Sequence, residues 1–395
     1  FELKLYDLRF AIKPSPAQWD MLTFLNIDDN SLSNVGEFPW PRHHYARGIK
    51  ALDEAGVRQF TFDIQFIDRS PMMVNAEEYR RAKQSKKAVG PGALDEIILD
   101  SDAMLAGAIK SSGRVIVPYS FLKDRLVRHY SDPAVKQETE KSMARFIQRA
   151  SIPVPAGKKE LFSGLVVPDR DDMQYPIPPL VEAARDFGYV DSDFDVDGTA
   201  RKIRLVRVFK DRVYFHMALV MLMDLCGVPK NNVDIVPGQK ITLKDALNPM
   251  TMERESIEIP IDNMGRIYIN WAGDLEKTFN HLSFYALFEY PLVADEVHSY
   301  FDQEEIHSGK TNRSILYGEL EGLYGKYRAA GDDAARKEAW FKVREHRRKI
   351  REIEAGYART LKNEIEKLTA ELKQGENPEL AKTLENLKNF MTAVK

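Results

Sequence analysis

The chain of 395 residues has one cysteine, Cys226. A disulfide framework and a cysteine-based zinc site are both excluded by that count. Cys226 lies in VMLMDLCGV and reads as a small buried hydrophobe. No apolar run reaches the roughly 18–20 residues that span a bilayer. The longest, Val213 to Cys226, is shorter and contains His216 and Asp224. Charge of one sign is also missing: 57 Lys and Arg stand against 60 Asp and Glu, a net charge of −3. Without a basic excess, a nucleic-acid partner is not expected. The GxSxG, HExxH, GxxxxGK[ST] and GxGxxG patterns are absent, so serine hydrolases, zinc proteases, P-loop NTPases and dinucleotide-binding enzymes lack their signatures. His43 and His44 are adjacent, about 100° apart on a helix, and are poorly placed to chelate one ion. These absences count against an enzyme without excluding one, and they imply no cofactor and no histidine metal site.

What is present is an ordinary globular composition, 44% hydrophobic and 30% charged, in a chain long enough for two or three structural units. It opens on FELKLYDLRF, which predicts a short, loosely amphipathic helix and a processed or excised piece of a longer protein. The segment Leu25 to Phe66 is the most informative. The apolar run Met21–Ile27 predicts a strand that ends in Asp28 and Asp29. A turn-rich loop with Pro39-Trp40-Pro41 follows, then a helix over His43–Ala55 closed by Gly56. Val57–Ile67 alternates apolar and polar residues around Asp63 and predicts a second strand. Met72–Gly92 reads as a mobile loop or short helix, and Leu99–Ser112 as a helix. Arg114–Val117 reads as a third strand ended by Pro118, and Asp124–Pro179 as a helix followed by proline-punctuated loop. The alternation predicts parallel βαβ units. Hairpin signals lie at Phe187–Val208 around DSDFDVDG, and at Ile257–Trp271 around Asp262-Asn-Met-Gly265. Tyr214–Cys226 predicts an apolar helix. The fold class expected is α/β, a layered α/β/α sandwich with a central, mostly parallel sheet plus hairpins over residues 1–300.

From about residue 301 charged residues dominate. Val343, Ile350, Ile353, Tyr357, Leu361, Ile365, Leu368 and Leu372 form a helical stripe, broken at Gly375–Pro378 and continued by Leu380, Leu384 and Leu387. Residues 301–395 are expected to form a helical hairpin or coiled-coil-like arm. Its two readings are a pair of helices packed on each other and an arm for homodimerisation.

Asp28, Asp29 and Asp63 fall at or near strand ends, where open α/β sheets bind ligands. Three readings stay open. The acids could cap turns or pair with Arg42 and Arg69. They could bind a ligand or cation. They could also act as a nucleophile and acid pair in a metal-dependent hydrolase or phosphatase. Asp193, Asp195, Asp197 and Gly198 have the spacing of an EF-hand's first half, but the twelfth position is Arg204 and not a glutamate. A turn held by aspartate side chains fits better.

The blocks NIDDNSL, FPWPRHHYARGIKAL, AGVRQFTFDIQF, SDAMLAGAIKSSGRVIVP and DFDVDGTARKIRL occur in that order. Together they resemble the type-two CHASE domain over residues 1 to 290. The resemblance implies a non-enzymatic sensor on the periplasmic or extracellular side of the bacterial inner membrane. Its output would be an adenylate or guanylate cyclase or a histidine kinase. Membrane contact would run only through flanking segments. The ligand, a small molecule or ion, is not implied by the residues. The candidate ligand-binding residues are Asp28, Asp29, Trp40, Arg42, His43 and Asp63. The chain departs from the family in carrying no late strand of the type GKIVLIG. The arm stands in its place, either as an insertion or because the closing strand is missing.

Overall fold

The structure, a computed structural model, describes residues 2–13, 22–54, 57–74, 79–81, 98–124, 133–248, 251, 253–273, 275–288 and scattered helical positions between 319 and 370. The chain divides into two compact units, Phe1–Leu287 and Phe288–Lys395.

In the first unit the described elements run α1 (Glu2–Ile12), β1 (Thr23–Asn26), α2 (Asp29–Val35), α3 (His43–Glu54), β2 (Phe60–Thr61), β3 (Met73–Val74), β4 (Ile98–Leu99), α4 (Ser101–Ser112), β5 (Val115–Leu122), α5 (Pro133–Ala150), β6 (Ser151–Pro153), β7 (Asp172–Gln174), α6 (Pro178–Ala183) and β8 (Asp186–Tyr189). There follow β9 (Lys202–Arg204), β10 (Val206–Phe209), β11 (Arg212–Phe215), α7 (Met217–Leu225), β12 (Val233–Val236), β13 (Lys240–Leu247), β14 (Arg254–Pro260), β15 (Arg266–Tyr268), α8 (Leu275–Thr278) and β16 (Asn280–Ser283). The fold is α/β, with a mostly parallel sheet and several antiparallel ones.

Strand β5 is the centre. It pairs in parallel with β2 and β8, and with β7 antiparallel. It runs on through Pro118, where the sequence predicts its end. The ladder explains this. The Ile116 carbonyl accepts from Phe62 on the β2 edge, while the Val115 and Tyr119 carbonyls accept from the β8 edge. Pro118 therefore withholds its N–H on the β2 edge only. There β2 stops after Thr61, which is why Val57–Ile67 yields only a short strand, and β7 takes over the same edge from Ser120 onward. Val115, Ile116, Val117 and Tyr119 are all fully buried, as a strand covered on both faces requires. Leu105 and Ile109 of α4, Phe146 of α5 and Phe187 of β8 are fully buried as well.

The first strand departs from the expected βαβ order. β1 does not join β2. It pairs in parallel with β16, Thr23 opposite Asn280 through Asn26 opposite Ser283. The turn-rich loop after it contains a helix, α2. Asp28 has extended backbone and caps it, and the Gly36 N–H closes it onto the Leu32 carbonyl.

Neither expected hairpin forms a ladder. Between β8 and β9 a single bridge, Asp193 to Lys202, is made, and β9 pairs with β15. The Asp262–Gly265 turn closes at 2.9 Å, but its flanking strands separate, β14 to β13 and β15 to β9. The tight hairpin is β10–β11. Lys210 and Asp211 hold its turn with φ of 46° and 59°, the sign a two-residue primed turn needs. That strand consumes Arg212–Phe215, so the apolar helix starts only at Met217, capped by His216. α7 packs with Leu165, Phe215, Ile241 and Leu243 in a core that also holds Cys226, fully buried as expected.

The described residues of the second unit are helical. His346 Nε2 meets Glu319 at 3.3 Å. One straight helix between them would hold them about 40 Å apart, so the chain reverses between these positions. Of the apolar stripe, Ile365 is buried and Leu368 half-buried; the rest of the stripe and the break at Gly375–Pro378 lie outside the described residues. So does most of Met72–Gly92.

Candidate functional site

Asp28 Oδ1 accepts from the Ser31 N–H at 2.9 Å, from Ser31 Oγ at 2.7 Å and from Ser283 Oγ at 2.8 Å. Burial alone would raise its carboxyl, but the hydrogen bonds from Ser31 and Ser283 outweigh that and hold it below the usual range. Asp28 thus caps α2 and ties β1 to β16. Ser31 Oγ also accepts from the Tyr285 N–H at 3.1 Å. Asp29, the first residue of α2, is exposed.

Trp40 is 4% exposed, and its indole N–H donates to the Gly36 carbonyl at 2.6 Å. Its ring packs at 5.5 Å from Phe284 and 6.0 Å from Tyr45. Arg42 is buried. It pairs with Asp102 at 2.6 Å, donates to the Asp68 carbonyl, and lies over the Phe66 ring. Asp102 also accepts the Ser70 N–H. Arg69, the other cation considered as a partner for the acids, faces Glu138 at 3.6 Å on the surface. His43 Nδ1 lies 3.3 Å from Ser101 Oγ, and its ring centre is 4.1 Å from that of His44. Burial, then the neighbouring His43 and Arg47, push His44 down to about 4. His43 is lowered by burial and Arg47.

The first turns of α3 and α4 therefore bring Arg42 and His43 together with Ser101 and Asp102. Trp40 joins this group to Phe284, just beyond β16. Asp63 sits exposed on a bend after β2. Among the described residues, no hydrogen bond or ion pair joins Asp29 or Asp63 to the cluster. The metal-dependent hydrolase reading is not carried forward: Asp28, the acid that closes β1, is spent on capping.

The acidic loop before β9 is organised by arginines, of which the sequence reading weighs only Arg204. Arg201 is 1% exposed and binds Asp7 of α1 together with Asp195 and Asp197. Arg204 binds Asp193 at 3.0 Å. Arg207 faces Asp191 at 3.8 Å. The signal lies in the spacing. Acids at 191, 193, 195 and 197 are followed by arginines at 201, 204 and 207, and they pair in reverse order, nested as in a folded-back chain.

The CHASE2 domain model matches residues 1–323, and the chain belongs to that family of extracellular sensory domains. No curated protein and no solved structure is similar enough to match. Among the described residues, no helix is long and apolar enough to cross a membrane.

Proposed function

We propose that the chain is the input part of a membrane-bound bacterial receptor, on the periplasmic side, with a nucleotide cyclase or histidine kinase as output. The observation that carries this reading is the family match over residues 1–323. In this reading the first block forms the ligand crevice. Asp28, Trp40 and Arg42 are its frame, since their polar groups are already engaged. Asp29, Asp63 and His43 supply the contacts to a small molecule or ion. Signal transfer needs a ligand that binds two conformations unequally. α1 and the helical second unit are the levers, the latter also joining two copies of the chain.

The test has two steps. A thermal-shift screen of small molecules and ions on this chain should find a stabilising compound whose effect is lost in Asp63→Asn or Asp29→Asn. The same compound should change cyclase or autokinase output in membranes holding the whole receptor. A stabilising compound that leaves every output unchanged counts against the sensory reading, and a monomer in sedimentation equilibrium removes the dimer.

A further inference from the structure

Where β5 and β8 end, the interior holds charges whose hydrogen-bonding capacity is only partly used; Arg170 Nη1 donates to the Asp169 carbonyl at 2.9 Å. Arg207 is 1% exposed, with its guanidinium 4.5 Å from the Phe121 ring centre and 4.3 Å from that of Tyr189. Tyr119, Phe121, Tyr189 and Tyr214 surround it as one group, with ring centres 5.3 to 6.3 Å apart. Asp191 lies between two guanidinium groups and hydrogen-bonds neither, with Arg207 Nη1 at 3.8 Å and Arg170 Nε at 4.0 Å. Its oxygens accept the Phe121 N–H instead. Arg207 Nε and Nη1, Arg170 Nε and the Tyr119 hydroxyl are all buried with no hydrogen-bond partner.

Buried polar groups in folded proteins are almost always paired, and an exception calls for a partner such as a water, an ion or a ligand. A buried guanidinium is the costliest group to leave so. Two guanidiniums and one carboxylate carry a net charge of +1, so one further negative charge balances them. The free donors are charged N–H groups on two arginines, and each can donate singly to a carboxylate oxygen. The rings supply an apolar wall for a short carbon tail. The location, outside the carboxyl ends of parallel strands, is where α/β sheets hold ligands. The Arg170 side chain is 20% exposed and that of Arg207 1%, so Arg170 is the more accessible of the two.

We infer that Arg207 and Arg170, beside Asp191, form a binding site for a small aliphatic monocarboxylate, with Tyr119 as a further donor. The site is separate from the first-block crevice.

Thermal shift and calorimetry on the full chain, with sodium formate, acetate, propionate and butyrate, test this. Sodium chloride and the matching amides are the controls. The expected result is saturable stabilisation by one or more acids and none by their amides or chloride. Arg207→Gln should weaken binding at least about tenfold, since it removes the charge that the acid would balance. Arg170→Gln is the safer variant for folding, because it removes a half-buried charge and leaves the core intact. It should weaken binding while leaving the unliganded melting temperature near that of the wild type. Asp63→Asn should leave carboxylate binding unchanged, which separates this site from the crevice. No saturable effect of any acid, an equal effect of acid and amide, or full binding in Arg170→Gln would each overturn the inference and leave water as the partner of these groups. None of those outcomes bears on the sensory reading.

Discussion

Ser283 Oγ donates to Asp28 Oδ1 at 2.8 Å, across 255 residues of sequence. The acid that reads as a candidate ligand is thus the joint between the first strand of the domain and its parallel neighbour. Capping needs an acceptor oxygen, and asparagine supplies one as well as aspartate does. Asp28→Asn should therefore cost only a few tenths of a kcal/mol, and Asp28→Ala about 1–2 kcal/mol, through the lost cap and the Ser283 hydroxyl left without its acceptor. Urea unfolding midpoints measure both. Equal losses in the two variants would mean that the charge, and not the cap, is what matters.

His216 sets a pH dependence. Its Nδ1 accepts the Ala218 N–H at 3.1 Å as the cap of α7, a role open only to the neutral ring. Burial, then Arg207, push it down to about 4 from an ordinary 6.5. Between those two values the unfolded chain binds a proton that the folded chain refuses. Stability should be full above pH 6.5 and fall as the pH drops toward 4, by on the order of 3 kcal/mol from this residue. His44, with the same direction and value, adds to the slope. His216→Asn keeps a capping oxygen and removes the titration, so its stability between pH 7 and 4.5 should vary less than the wild type's. An unchanged slope would place the dependence elsewhere.

Arg42 and Asp102 form a buried pair, with side chains 9% and 5% exposed. Removing one partner leaves the other as an unpaired buried charge, a loss of about 3–5 kcal/mol. Asp102→Ala should cost that much, and Arg42→Met a comparable amount. The double variant should cost clearly less than the sum, because neither charge is then stranded. Additive losses in chemical denaturation would show that the two residues act independently.

Legibility followed the range of the interactions. The helices α3 and α4 were readable because local spacing fixes them, and Gly113 ends α4 with φ of 62°; Gly56, the expected stop of α3, lies outside the described residues. The strand through Pro118 was not, because one missing N–H forbids pairing on one edge only, and which edge is empty depends on where β2 ends. The partner of β1 lies at residues 280–283, beyond any local pattern. The first block was recognisable by its spacing, yet the engagement of Asp28 depended on Ser283, and that of Arg42 on Asp102. The three arginines of RKIRLVRV pair across a folded-back loop, and in the sequence Arg204 reads only as the residue that breaks an EF-hand. Here they turn inward to meet acids already noticed for another reason.

Arg201 offers the clearest test of that inward turn. Its Nε and Nη2 donate to the Asp7 carboxylate at 2.7 and 2.8 Å. Nη1 and Nη2 donate to Asp195 and Asp197 at 2.8 to 3.0 Å. These bonds hold the Asp197 carboxyl well below its usual range. α1 leaves Leu8 and Ile12 exposed. Among the described residues it is also tied by Tyr6, whose hydroxyl donates to the Ile269 carbonyl at 2.6 Å and whose ring lies 5.0 Å from that of Tyr268, and Lys13 just beyond it reaches Asn270. Asp7→Asn should therefore free α1 while the acidic loop keeps its arginine. Arg201→Gln should loosen both, and Arg201→Lys should come close to it, since one ammonium cannot serve three carboxylates in a fixed fork. Amide hydrogen exchange separates the cases. Protection should fall over residues 2–12 alone in Asp7→Asn, and over 2–12 and 193–199 together in the Arg201 variants. Loop protection that survives in Arg201→Gln would mean that the loop is held by its own turn hydrogen bonds, and that Arg201 serves α1 only.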